Sequence, residues 1–237
     1  MNPLAKVADQ CREILAAQTV GADGPGTILR DVESLIDFIG ERGLATGSRN
    51  GNLPTAALQE LNVRLGPAVE VELKRTMLRD YPNVAGPFVL LRVMGLAVVE
   101  GKRLRIDPKA LAAWRDLNPV EKYFALLEAW LFHAETAVLG GEEERRRLTQ
   151  FSANLRFLAN LRFGQWKSFD EDCHRSDLFG AVSTWNTHLQ VKFGLIEVKE
   201  RPLMDRRADL HGWIMAKARR TPWGQAVAWA IIEHIAA

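Results

Sequence analysis

The run Leu96-Ala-Val-Val-Glu-Gly-Lys-Arg-Leu-Arg-Ile106 decides the fold of the first half of the chain. Two short runs rich in apolar and β-branched residues flank Glu100-Gly101, and this pattern predicts a tight β-hairpin. The segment before it, which begins near Pro82 and Pro87 and ends at Gly95, is apolar almost all round. It predicts a buried helix, with its body over 88–94, that leads directly into the hairpin.

Helical signals lie on both sides of this hairpin. Apolar residues at intervals of three and four predict a helix over about 29–39, and Pro54 suits the first position of another. Downstream, Asp107-Pro108 and Asn118-Pro119 each predict a helix start, with Asp107 as N-cap. The second of these helices is predicted to run to about His133. Three helices followed by a hairpin is the order of a winged helix-turn-helix.

The second half repeats this order. Phe193-Gly-Leu-Ile-Glu-Val198 echoes Met94-Gly-Leu-Ala-Val-Val99. Each copy is followed by a second strand candidate (213–218 in the second half), by Asp-Pro or Thr-Pro, and by a helix that contains a tryptophan. Matched order of such signals indicates a duplication. We therefore predict a mainly α-helical fold of two tandem winged-helix-like units with small β-hairpins.

The predicted organisation has three parts. A docking helix and linker occupy 1–25, unit one occupies 26–140, and unit two occupies 141–237. The docking helix follows from the amphipathic spacing of Leu4, Val7, Cys11 and Ile14. A glycine-rich linker comes next. The boundary between the units is predicted at Gly140-Gly141, before an acidic-to-basic run.

Composition leaves the partner open. The chain has 31 Lys and Arg against 29 Asp and Glu, a net charge of +2 and a pI near 8.6. That pI is below the value of about 9 that marks strongly nucleic-acid-binding domains, so any basic surface has to be local. Two cysteines far apart and no apolar leader predict a cytoplasmic location. No stretch reaches the roughly 18 apolar residues of a membrane span, so no membrane partner is expected.

Catalytic and metal-binding signals are poor. The glycine-rich segment 21–26 lacks both the Lys-Ser/Thr pair and the preceding strand of a phosphate-binding loop. Cys173 and His174 are adjacent, and adjacent side chains do not easily share one tetrahedral metal site. We therefore predict a protein that is not an enzyme, with no catalytic residues, no metal and no cofactor.

Basic residues on the two hairpins are the candidate nucleic-acid contacts. They are Lys102, Arg103 and Arg105 in the first hairpin, and Arg206, Arg207, Lys217, Arg219 and Arg220 in the second. Winged proteins place such residues against phosphates, where each neutralised phosphate releases counterions. The alternative is a pair of solvated hairpins without a ligand, because charge runs usually mark solvated faces.

The helices that would read bases differ between the halves. The segment 88–94 offers Arg92 alone as a polar group. The helix predicted over about 177–191 offers Ser183, Asn186, His188 and Gln190, which include the residue types that contact base edges. Contact with the backbone of duplex DNA is therefore favoured over base reading.

Three segments resemble a bacterial family. Leu35-Ile-Asp-Phe-Ile-Gly-Glu-Arg-Gly-Leu44, Gly51-Asn-Leu-Pro54 and Leu117-Asn-Pro-Val-Glu-Lys-Tyr-Phe-Ala-Leu-Leu-Glu-Ala-Trp130 look like the helical region that accompanies the Ri-plasmid ORF-three-like domain. The resemblance covers roughly 28–135, and 194–224 more loosely. It implies winged-helix-like units of unknown activity, often joined to a small β-rich domain. Because such a domain does not follow residue 224 here, a truncated form of a longer protein is one alternative, and no site residues carry over.

Two functions remain as hypotheses. The first is a non-enzymatic binding module with a regulatory or nucleic-acid-associated role, which rests on the winged order and the basic hairpins. The alternative is a protein-interaction or assembly scaffold. It rests on the amphipathic first helix and on the apolar last helix, Ala226 to Ile235, whose faces would bind a partner or a second copy.

Overall fold

The computed structural model describes residues 3–46, 51–71, 76–134, 145–169, 184–200 and 215–236. The helices are α1 (Pro3–Ala17), α2 (Ile28–Ile39), α3 (Thr55–Arg64), α4 (Pro82–Val93), α5 (Pro108–Asp116), α6 (Pro119–Glu128), α7 (Arg145–Asn160), α8 (Thr184–Lys192) and α9 (Pro222–Ala236). The strands are β1 (Leu44–Ala45), β2 (Ala97–Glu100), β3 (Arg103–Ile106), β4 (Lys167–Ser168), β5 (Ile196–Glu200) and β6 (Met215–Arg220). The chain is thus mainly helical with small antiparallel sheets, as predicted.

The strands form two sheets of the same topology in the described part of the chain. Sheet one has the order β1-β3-β2 and sheet two the order β4-β6-β5, and all pairs are antiparallel. The predicted hairpin over 96–106 is the β2–β3 pair, with Ala97 opposite Ile106 and Glu100 opposite Arg103. At its tip Gly101 has a φ of 60°, a left-handed conformation that glycine adopts without strain. Of the second strand predicted over 213–218, β6 covers Met215 onward, and residues 213 and 214 lie outside the described residues.

Two predicted helices have internal irregularities that the sequence analysis did not anticipate. Helix α4 begins at Pro82 and contains Pro87, whereas Pro87 was expected near the helix start. Proline removes one helical hydrogen bond, but every residue of 82–91 is buried, so packing holds the helix together. The helix predicted to reach His133 is α-helical only to Glu128 and continues as a π-helical turn over Ala129–His133.

Some predicted features lie outside the described residues. They include the loop with Cys173 and His174, the first part of the helix predicted over 177–191, and the boundary at Gly140-Gly141. The division into 1–25, 26–140 and 141–237 therefore stays a prediction.

Helices α4 and α8 pack directly against each other and join the two halves of the core. Gly86 of α4 faces Leu189 of α8 so closely that a Cβ atom on Gly86 would lie 2.6 Å from the Leu189 Cγ. Leu189 is fully buried, and so are Phe88 of α4 and Phe193, which follows α8. The buried apolar residues of both halves consequently form one continuous cluster.

A buried ion pair also joins the halves. The Lys192 Nζ at the end of α8 donates to the Asp31 Oδ2 of α2 over 2.5 Å and to the Leu65 carbonyl over 3.0 Å. The Thr27 hydroxyl donates to the same Asp31 oxygen over 2.6 Å. The two charged side chains are only 5% and 3% exposed. Burial lowers the pKa of Lys192, and the adjacent Asp31 carboxylate opposes that shift.

Aromatic side chains tie α6, α8 and α9 together. The Tyr123 hydroxyl donates to the Phe193 carbonyl over 2.5 Å and accepts from the Trp223 Nε1 over 2.7 Å. The rings of Tyr123 and Phe193 meet edge to face, with centroids 5.3 Å apart. Burial raises the pKa of Tyr123, so this hydroxyl acts as a neutral structural donor.

The first helix docks on the last helix of the same chain. Cys11 of α1 is 1% exposed, and the Arg12 guanidinium lies 5.2 Å from the ring centroid of Trp229 in α9. The apolar faces that motivated the scaffold hypothesis thus cover each other. Ile232 of α9 remains 55% exposed.

Candidate nucleic-acid interface

The polar residues of α8 that belong to the types which contact base edges face the interior. Asn186, His188 and Gln190 are 1%, 6% and 0% exposed. The Asn186 Oδ1 accepts from the Trp130 Nε1 over 2.7 Å, and the Gln190 Nε2 donates to the Asn154 Oδ1 over 3.3 Å. Ser183 lies outside the described residues. These three side chains are therefore not available for base contacts, in line with the preference for backbone contact over base reading.

His188 makes the stability of the protein depend on pH. Its burial, together with the charge of Lys192, lowers the pKa of its imidazole to about 3. In an unfolded chain this pKa is about 6.5, so folding favours the neutral ring. Stability from this group is thus fully present above about pH 6.5 and is lost as the pH falls from about 6.5 towards 3.

We expect His188→Gln to reduce this dependence. For the wild type, the free energy of unfolding should fall by up to about 1.4 kcal/mol per pH unit in that window from this group alone. Urea unfolding at several pH values, compared between wild type and variant, isolates the contribution. The exposed His234 provides the control His234→Gln, which should follow the wild-type curve. Parallel wild-type and His188→Gln curves would contradict the assignment.

Two of the three candidate basic side chains of the first hairpin form contacts within the protein. The Arg103 Nη2 donates to the carbonyls of Arg42 and Gly43 over 2.7 and 2.9 Å. The Arg105 Nη1 lies 3.6 Å from a Glu100 carboxylate oxygen in an exposed ion pair. Lys102 is exposed at the tip, and within the described residues its ammonium has no ion-pair partner. One free cation is thus available here for a phosphate.

The second sheet brings together more cations. Lys217 of β6 is exposed and stands directly opposite Lys199 of β5. Arg219 stands opposite Glu197, and its Nε and Nη2 both donate to one Glu197 carboxylate oxygen over 2.8 and 2.5 Å. Residues two apart on a strand share a face, so these four side chains lie on one side of the sheet.

Trp166, just before β4, completes this surface. The Lys199 Nζ and the Arg219 Cζ each lie 4.7 Å from the Trp166 ring centroid, within cation–π range. We call this surface, formed by Trp166, Glu197, Lys199, Lys217 and Arg219, the basic sheet face. Sequence reasoning had singled out Lys217 and Arg219 but missed Lys199 and Trp166. The alternation Glu197-Val-Lys199 in a predicted strand was the signal that could have found Lys199.

Other basic candidates lie elsewhere. Arg220 is partly buried, and burial lowers the pKa of its guanidinium. In the described part of the chain its Nε is buried without a hydrogen-bond partner. Arg206 and Arg207 fall outside the described residues. The structure thus assembles the second-hairpin candidates only in part.

Comparison of the chain with protein-family models, with curated proteins and with solved structures gave no match. The resemblance to Ri-plasmid ORF-three-like proteins stays a prediction. Across the described ranges, no group of three or more His, Cys, Asp or Glu side chains is placed to hold a metal ion. No helix in those ranges combines the length and the apolar character needed to cross a membrane.

Proposed function

We propose that this chain is a non-enzymatic binding module of two winged-helix-like units, which contacts the backbone of nucleic acid through the basic sheet face. Support for the units comes from the element order α2-β1-α3-α4-β2-β3 and from the matching strand orders of the two sheets. Helix, strand, two helices and a hairpin is the order expected of a winged helix. In this arrangement α4 and α8 are the helices that directly precede the hairpins of the two units.

The observation that carries the binding proposal is the pair Lys199 and Lys217. Like charges directly opposite each other on neighbouring strands destabilise a sheet. An anion that lies between the two ammonium groups removes their mutual repulsion. Glu197 does not serve this role, because it is already the counter-ion of the nearby Arg219. A phosphate between the two ammonium groups supplies the missing negative charge.

The charge around sheet two supports the same conclusion. The segments 162–168, 196–200 and 215–220 carry six basic residues, Arg162, Lys167, Lys199, Lys217, Arg219 and Arg220, against the two acidic residues Glu197 and Glu200. The whole chain has a net charge of only +2. The basic excess is therefore concentrated in these segments, and the remainder of the chain, which is net acidic, offsets it in part.

Binding on this face is expected to be independent of base sequence. Helices α4 and α8 pack against each other, so neither presents a polar face to the major groove. Contacts with phosphates fix position and carry no sequence information directly.

We expect the double variant Lys199→Ala/Lys217→Ala to lose most duplex binding at low salt. Each lost phosphate contact should reduce the slope of log K against log salt by about 0.9, so the double variant should lose roughly 1.8. Fluorescence anisotropy with a labelled duplex, between about 50 and about 200 mM salt, measures both quantities. Lys6→Ala/Lys109→Ala removes the same charge from exposed positions on α1 and α5 and should bind as the wild type does. An equal loss in both double variants, or no wild-type binding at about 50 mM salt, would refute the proposal.

A groove beside β5 favours protein interaction as a second candidate function. It has a volume of about 650 Å³ and is lined mainly by apolar side chains, among them Ile14, Ile196, Val198 and Trp223. β5 is an edge strand of sheet two within the described residues. An edge strand beside an apolar groove can accept an extended segment by strand addition, and a second copy of this chain could supply that segment through its own β5.

Sedimentation equilibrium tests this candidate. If β5 pairs between copies, the measured mass should rise with protein concentration. Gln18→Trp places an indole at the groove and should remove that rise, because Gln18 lines it. Gln10→Trp, at an exposed position on α1 outside the groove, should leave it unchanged. A monomer at all concentrations would exclude this form of self-association.

A further inference from the structure

One aromatic ring contacts two cations of the basic sheet face. The Lys199 Nζ and the Arg219 Cζ each lie 4.7 Å from the centroid of the Trp166 indole. The indole is half-buried, whereas the Lys199 side chain is exposed. An exposed lysine has one of the largest rotamer entropies of any side chain, so a contact that restricts it prepares the ammonium group for a ligand.

The strand order shows where this contact lies on sheet two. β6 stands between β4 and β5. Trp166 directly precedes β4 and Lys199 belongs to β5, so the two side chains come from opposite sides of β6. Because neighbouring strands are about 4.8 Å apart, these side chains meet over β6, the strand that carries Lys217. The contact therefore directs the Lys199 ammonium towards Lys217.

The ring attracts these cations without removing their charge. Lys199, Lys217 and Arg219 lie on the same face, and the Glu197 carboxylate is bonded to Arg219. The face of an indole carries partial negative charge, so it stabilises a nearby ammonium group electrostatically. A carboxylate in its place would neutralise the ammonium group. Lys199 thus keeps its full charge for a phosphate while the ring restricts its position.

We propose that Trp166 is a positioning residue for nucleic-acid binding, whose indole holds the Lys199 ammonium beside Lys217 before a phosphate arrives. This inference rests on the proposed function and adds to it the residue that orients the cation pair. A cation that is already in place loses less conformational freedom on binding, and this is how Trp166 raises the affinity.

The first test measures the position of Lys199 without a ligand. Protons above the face of an indole are shielded, so the ε-methylene protons of Lys199 should resonate upfield of those of the exposed Lys102. Trp166→Leu should move the Lys199 signal to the position of the Lys102 signal. Proton–carbon correlation NMR measures both shifts, and Lys199→Ala assigns the signal. Identical Lys199 shifts in the wild type and Trp166→Leu would overturn the inference.

The second test measures binding of the labelled duplex by fluorescence anisotropy. Trp166→Leu should weaken binding by about two- to fivefold at about 50 mM salt, as expected for loss of an exposed cation–π contact. The slope of log K against log salt should not change, because both lysines remain. Trp166→Phe keeps a ring and should recover most of the affinity. In the Lys199→Ala background, Trp166→Leu should have no further effect.

Trp229→Leu provides the matched control. The Trp229 ring also contacts a cation, with the Arg12 guanidinium 5.2 Å from its centroid, but it belongs to α9 and not to sheet two. This variant should bind the duplex as the wild type does. Circular dichroism melting checks that each variant is folded.

The outcomes separate the two proposals. The positioning role is overturned, while backbone binding stands, if Trp166→Leu and Trp229→Leu weaken binding equally. The same conclusion follows if the loss in Trp166→Leu persists in the Lys199→Ala background, or if Trp166→Phe recovers no affinity. If the wild type does not bind the duplex at about 50 mM salt, the proposed function itself fails, and the positioning role fails with it.

Discussion

Asp31→Ala is expected to lower the free energy of unfolding by about 3–5 kcal/mol, because it leaves the ammonium of Lys192 buried without its counter-ion. Lys192 is 4% exposed, and only the Leu65 carbonyl remains within hydrogen-bonding distance of its Nζ among the partners described. The lost carboxylate also accepts from the Thr27 hydroxyl. Total stabilities of about 5–15 kcal/mol make this a large fraction of the whole.

Two further variants sharpen this experiment. Asp9→Ala removes the partner of Arg12 in an exposed ion pair of 3.0 Å, and it should cost less than about 1 kcal/mol. The double variant Asp31→Leu/Lys192→Met replaces both charges with apolar groups and should recover most of the stability, as replaced buried pairs often do. Guanidinium unfolding measures all three variants. If Asp31→Ala costs no more than Asp9→Ala, the pair does not join the two halves in solution.

Leu189→Ala should lower the free energy of unfolding by about 2–5 kcal/mol. Leu189 is fully buried where α4 meets α8, so its truncation removes apolar burial and opens a cavity between the halves of the core. Ile232→Ala, at a side chain that is 55% exposed, provides a control with a much smaller expected loss.

The effect of a second substitution in the same contact, Gly86→Ala, on the free energy of unfolding should have opposite signs in the wild type and in the Leu189→Ala variant. In the wild type, Gly86→Ala is expected to cost about 1–3 kcal/mol, because its Cβ would meet the Leu189 Cγ at 2.6 Å. In the Leu189→Ala background that atom is absent, so Gly86→Ala should stabilise α4 by about 1 kcal/mol through helix propensity. A double-mutant cycle from urea unfolding gives both values. Equal effects in the two backgrounds would show that α4 and α8 do not touch here.

Local signals in the sequence predicted those elements whose stabilising interactions are themselves local. The hairpin over 96–106 is present as predicted. Its signals, the alternating apolar residues and the turn at Gly101, lie within a few residues of each other. The helix starts at Asp107 and Asn118 were also correct. The Asp107 carboxylate accepts from the Ala110 amide, and Asn118 forms a capping box with Glu121.

Elements supported by distant contacts were missed or misplaced. Strands β1 and β4 have two residues each, which is too short for any periodic pattern, and they exist because β3 and β6 offer them partners. The sequence analysis places the start of α4 between Pro82 and Pro87, yet the surrounding core stabilises helix on both sides of Pro87.

The sequence by itself determined the order of helices and hairpins and the presence of basic residues on the second hairpin, because these follow from near-neighbour patterns. Only the tertiary structure decided which polar side chains meet solvent. Where α4 packs on α8, the side chains of Asn186 and Gln190 are buried. At the end of α8, Lys192 pairs with Asp31, which lies 161 positions away in the sequence. Strand register then placed Lys199 opposite Lys217. Burial and register depend on contacts between distant segments, and no local pattern encodes them.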